Sequence, residues 1–172
     1  MMRISIFPLL FHILCLLALN TALLHANKEE AEALLQWKNN GLSSSSTSLL
    51  DSSWSVNNLT NLCSWEGIIC NSGGSVSELN LPHGNIRGTL EPLRFSSLPN
   101  LTRIDLNSNS LSGVIPSAIT TLLKLTFLNL RDNSFTGAIP EEIGSMTSLE
   151  KISLMGAFQN HCAMQANFSI LA

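Results

Sequence analysis

A 24-residue internal repeat constrains this chain more than any other feature. Leu101, Ile104, Leu106, Asn109, Leu111, Gly113, Ile115 and Pro116 recur in order as Leu125, Leu128, Leu130, Asn133, Phe135, Gly137, Ile139 and Pro140. A weaker copy lies 25 residues upstream at Val76, Leu79, Leu81, Ile86, Gly88 and Leu90. A fourth opens in register with Leu149, Ile152 and Leu154, after which the match stops.

Such a repeat dictates a coil. In Leu-x-x-Leu-x-Leu the last two leucines alternate as a strand requires, so they face inward and their neighbours outward. Asn109 and Asn133 fall where the chain leaves that strand. An amide carries both donors and acceptors and can satisfy backbone groups of adjacent coils there. Gly113 and Gly137 permit a tight turn, and Pro116 and Pro140 are tolerated on an outer edge that needs no donor. No single coil buries its own apolar face, so stability must come from stacking.

The segments Leu111 to Pro116 and Phe135 to Pro140 resemble the plant extracellular class of leucine-rich repeats, marked by Leu-x-Gly-x-Ile-Pro after the Asn. The first copy departs, with Gly84 at the Asn position and Glu91 at the Pro position. Residues 27 to 70 are similar to the N-terminal cap of plant receptor-like kinases and receptor-like proteins. The matching parts are an acidic helix from Lys28 to Lys38 with Ala33, Leu34 and Trp37, then Trp54, then Cys63, Trp65, Gly67 and Cys70. The resemblance implies an α/β leucine-rich-repeat solenoid, with a helical, disulfide-linked cap at 27–71 and about three and a half repeats at 75–155. Residues 156–172 form an atypical tail around Cys162, without a capping cysteine pair, and suggest a shortened product.

The segment Ile4 to Leu24 is almost wholly apolar and follows one early cation, Arg3. With small residues near Ala22 and Ala26 it reads as a secretory signal peptide, residues 1–26, the alternative being a retained anchor. Removing it leaves eight Lys/Arg against twelve Asp/Glu, a net charge of −4, and no second run of spanning length. That mild acidity gives no reason to expect nucleic acid or anionic lipid as partner. In an oxidising compartment Cys63 and Cys70 read as a disulfide. Zinc would need more ligands than these two thiols and nearby His83.

Trp37, Trp54 and Trp65 are expected to fill the cap's core rather than to stack on a ligand. The serines from Ser43 to Ser46 read as a solvated loop. Three sequons, at Asn58, Asn100 and Asn167, are candidates for N-glycans. Glu141 and Glu142 read as surface charge, and no catalytic set, phosphate loop or kinase signature is present, so no enzyme, metal or cofactor is expected. Outward strand residues of successive coils should form columns on a concave face. Arg103, Asp105, Phe127, Asn129 and Arg131 are the expected contact patch, while Asn109 and Asn133 are structural. The resemblance then implies a secreted module in the apoplast, or at the outer face of the plasma membrane were the protein longer or its N-terminal segment kept. It would bind a peptide or protein and signal with a membrane receptor kinase. The alternatives are an inhibitor of secreted microbial enzymes, like polygalacturonase inhibitors, or a non-functional remnant.

Overall fold

The computed structural model describes residues 6–43 and 48–156. The chain opens with one long helix, α1 (Ile6–Gly41), followed by the short α2 (Ser48–Asp51) and a kinked 3-10 stretch at Val56–Ser64. Strands β1 (Ile68–Cys70), β2 (Val76–Asn80), β4 (Arg103–Asp105), β6 (Phe127–Asn129) and β8 (Lys151–Ser153) form a five-stranded sheet in that order. Strands β3 (Arg87–Thr89), β5 (Ser110–Gly113) and β7 (Ser134–Phe135) form a second sheet of three. Short 3-10 turns at Phe95–Ser97, Ser117–Thr121 and Glu141–Ser145 complete each coil on the side away from the first sheet's strands.

Each repeated apolar position becomes a column in the core. Leu79, Ile104 and Leu128 stack with almost no exposure, as do Leu81, Leu106 and Leu130, and Ile86, Leu111 and Phe135. Burying one such side chain stabilises by about 1.5–3 kcal/mol. The strands are short because the repeat supplies only two inward positions before the Asn turns the chain. Asn133 donates from Nδ2 to the carbonyls of Leu106 and Leu130, each at 2.9 Å, and accepts from the Leu111 N–H at 3.0 Å. Asn109 likewise donates to Leu81 and Leu106 and accepts from the Ile86 N–H. One amide thus ties two coils and two sheets. In the first coil Gly84 replaces it, and Asn109 of the next coil reaches back to serve Ile86.

The residue just before the Asn position carries a signal the repeat reading overlooked. His83, Ser108 and Asp132 have φ of 55°, 54° and 52°, and Gly156 has 68°. The four are spaced 25, 24 and 24 residues apart, so the fourth coil holds the repeat's path to Gly156, beyond its last matching leucine. A left-handed backbone at a non-glycine residue costs on the order of 1 kcal/mol and persists because the stacked coils impose it.

The cap closes the first end of both sheets. β1 runs antiparallel to β2, with Ile69 opposite Glu78, while every later pair in that sheet is parallel. Leu42 bridges Gly88 of β3, the Ser43 N–H donates to the Arg87 carbonyl, and the Trp37 indole donates to the Thr89 carbonyl at 2.8 Å. Gly88 is obligatory there: its φ is 138° and a Cβ would sit 2.0 Å from the Gly41 oxygen. Trp54 stacks on Trp65 at 5.6 Å and leans on Trp37 at 6.2 Å, all three buried, which matches the expected core role. Cys63 and Cys70 form a disulfide that closes the segment leading into β2.

Helix α1 departs from expectation in extent. It runs without interruption through Ala26, where the signal boundary was expected, and reaches Gly41 rather than Lys38. Burial, not helicity, changes along it. Leu10, Phe11, Ile13, Leu14, Leu16 and Leu17 are 46–66% exposed, whereas Ala31, Ala33, Leu34 and Trp37 are fully buried. Leucine and alanine, present on both sides of that boundary, are strong helix formers. No helix among the described residues is long and apolar enough to cross a membrane. Residues 44–47, Cys162 and Asn167 lie outside the described residues.

Candidate functional site

The five-stranded sheet presents one row of side chains per strand to solvent, and pairing sets them in columns. Glu78, Arg103, Phe127 and Lys151 are register partners, as are Asn80, Asp105, Asn129 and Ser153. Backbone bonds from Ser108 to Arg131 and from Asp132 to Met155 extend the order into a third column.

Within this face the expected patch divides in two. Arg103 donates to Asp105 at 2.9 Å and lies 3.8 Å from Glu78. Asp105 is only 7% exposed, and its other oxygen accepts from Asn129 Nδ2 at 3.0 Å and from the Asn107 N–H. Asp105 is therefore an internal brace, not a group free for a ligand. Phe127 is half-buried: the Arg103 guanidinium covers its ring at 3.6 Å and Lys151 Nζ approaches at 5.4 Å. Cations over an aromatic face are attracted by its quadrupole. Phe127 thus aligns two cations instead of offering a bare ring.

The other half opens into a shallow depression of about 400 Å³ lined by His83, Asn107, Ser108, Phe127, Asn129, Arg131, Asp132, Lys151 and Ser153. Of the five expected residues the depression gathers Phe127, Asn129 and Arg131, and leaves out Arg103 and Asp105. Arg131 is exposed and paired with Asp132 at 3.1 Å. Lys151 is exposed and makes no ion pair among the described residues. The left-handed residues Ser108 and Asp132 form the wall at the strand exit; their phase, one residue before each Asn, was available in the sequence. Among the described residues no group of His, Cys, Asp and Glu is placed to hold a metal ion.

One buried acid escaped the sequence reading. Glu30 is 2% exposed within α1, accepting from the Ser75 hydroxyl and from the Val76 N–H at 2.9 Å. Burial raises its carboxyl above the ordinary range, and the two hydrogen bonds only partly offset this. It lies in the run Glu29, Glu30, Ala31, Glu32 of the acidic helix.

Residues 27–71 match the leucine rich repeat N-terminal domain, and residues 74–135 and 99–156 match the leucine rich repeat. The chain belongs to the leucine-rich-repeat family. MDIS1-interacting receptor like kinase 2 of Arabidopsis thaliana is 50% identical over 91 residues, which is 52% of this chain and 8% of that protein. The ectodomain of the Arabidopsis receptor kinase GASSHO1/SCHENGEN3, solved with CASPARIAN STRIP INTEGRITY FACTOR 2, superposes with a TM-score of 0.64 at 32% identity, covering 70% of this chain and 14% of that one. The Arabidopsis HAESA ectodomain, solved with an N-terminal extended IDA peptide hormone ligand, gives 0.62 at 28% identity, covering 74% and 21%. This leucine-rich-repeat chain therefore spans a small part of the receptor kinases it resembles, and the part it matches is the ectodomain.

Proposed function

We propose that this leucine-rich-repeat chain is an extracellular recognition module that binds a peptide or protein segment on the outward face of its five-stranded sheet. The observation that carries the reading is the depression between Phe127, Arg131 and Lys151, where a rigid parallel sheet sets polar and charged groups in fixed columns. Such a face suits an extended ligand, because side chains held by stacked coils lose little freedom on binding. The GASSHO1/SCHENGEN3 ectodomain is solved with CASPARIAN STRIP INTEGRITY FACTOR 2 and the HAESA ectodomain with a peptide hormone ligand, which supports a binding role here. The module acts by binding, not catalysis, and any intracellular signal passes through a receptor kinase partner. Residues 1–26 direct export, 27–71 cap the stack, and 75–155 form the repeats; the Cys63–Cys70 disulfide fits an oxidising compartment.

The test is capture followed by substitution. Immobilised chain is exposed to apoplastic fluid, retained peptides are identified, and their affinity is compared with that of Phe127→Ala/Arg131→Ala. The expected loss is at least tenfold, about 1.4 kcal/mol. Unchanged affinity would remove this face from consideration.

A further inference from the structure

The residue preceding the first apolar position of each coil forms a second polar ladder, on the strand-entry flank. Its rungs are Ser75, Asn100, Lys124 and Ser148, spaced 25, 24 and 24 residues apart. Lys124 Nζ donates to Asn100 Oδ1 at 2.6 Å, Asn100 Nδ2 donates to Ser75 Oγ at 2.9 Å, and the Ser75 hydroxyl donates to the buried Glu30 carboxylate. Asn100 therefore uses both ends of its amide to join its own coil to the coils on either side, and Ser75 carries the ladder on to the cap.

Asn100 also opens the sequon completed by Thr102, whose hydroxyl donates to the Ser77 carbonyl at 2.9 Å. Both side chains that define the sequon are committed to the fold. Asn58 and Thr60 differ. Asn58 Nδ2 has a single long contact, 3.4 Å to the Ser53 carbonyl, and Thr60 is exposed. The Trp65 indole is held by the backbone carbonyl of Asn58, so the cap draws on that residue's main chain and only through the long Ser53 contact on its side chain.

We propose that the exported chain carries an N-linked glycan on Asn58 and not on Asn100, whose amide is a structural rung between neighbouring coils. The proposal rests on the reading of export. The donor is a lipid-linked oligosaccharide diphosphate. The amide nitrogen forms a bond to the sugar C1, the C1–O bond to the lipid diphosphate breaks, the diphosphate leaves, and Nδ2 loses one proton. At Asn58 the sugar displaces only a marginal contact. At Asn100 it would leave one N–H where the ladder and solvent now share two, and it would crowd a bulky group between Ser75 and Lys124.

The full 172-residue chain is expressed in plant cells and the secreted protein is mapped by glycopeptide mass spectrometry, which reads each sequon separately. The expected map has sugar on the Asn58 peptide and none on the Asn100 peptide. After enzymatic deglycosylation, Asn58→Gln melts with the parent while Asn100→Gln melts about 4 °C lower. Sugar on Asn100, or an Asn58 peptide recovered bare from secreted protein, overturns the proposal. Equal melting of Asn100→Gln and the parent removes the structural rung. Where Asn100→Gln is not secreted, the map of the unmutated chain decides. A chain retained in the cell without sugar overturns the reading of export together with the proposal.

Discussion

The cap and the coils solve the same packing problem by opposite means. Each coil is held by a few interactions used again every 24 or 25 residues, chiefly the leucine columns and the amides of Asn109 and Asn133. The cap has no repeat and relies on single, long-range ties: three tryptophans packed together, one disulfide, a buried carboxylate and one close backbone contact at Gly88. Repetition distributes stability, so neighbouring coils share any loss. Singular ties concentrate it. The difference teaches where the molecule is vulnerable.

Substitutions can break this contrast, starting with the cap. Trp54 is buried, stacked on Trp65, tilted against Trp37 and bonded to the Glu66 carbonyl at 2.9 Å. Trp54→Ala should cost about 3–5 kcal/mol, read as a fall in the denaturant midpoint. In the coils, Asn133→Ala leaves the Leu130 carbonyl and the Leu111 N–H without their side-chain partner, while the Leu106 carbonyl keeps only Asn109. The expected cost is about 2–3 kcal/mol, because buried polar groups lose their bonds. A loss equal to that of Trp54→Ala would show the coils to be as singular as the cap. Gly113 has φ of 75° and a Cβ there would lie 3.2 Å from Thr89 Cγ2, so Gly113→Ala should cost about 1 kcal/mol.

The smallest effect is one of pH. Glu30 binds its proton more tightly in the folded chain than in the unfolded one, since burial disfavours the carboxylate. Protonation therefore favours folding: this group's contribution rises as pH falls from the raised folded value towards the ordinary one, and is lost as pH rises through that window. Thermal melts should show Glu30→Gln flattening this part of the pH profile. A profile unaltered by the substitution would place the carboxyl in water.

Legibility follows the same division. The repeat announces its own register, so the columns Glu78, Arg103, Phe127, Lys151 and Asn80, Asp105, Asn129, Ser153 could be written from spacing alone, and the strand pairing reproduces them. What spacing does not convey is how side chains in neighbouring columns spend one another. Asp105 looks outward by phase, yet Arg103 and Asn129 bury it. Phe127 looks like an exposed aromatic, yet two cations flank it. In the cap, Glu30 sits in the acidic run of the helix. Only the approach of Ser75 and Val76, some 45 residues later in sequence, gives it partners.

The central claim is that recognition uses the outward face of the five-stranded sheet. Hydrogen exchange of the chain with and without a captured peptide tests this most directly. The account predicts added protection in residues 127–131 and 151–155, with the outer turns at 117–121 and 141–145 unchanged. Protection confined to those outer turns would contradict it.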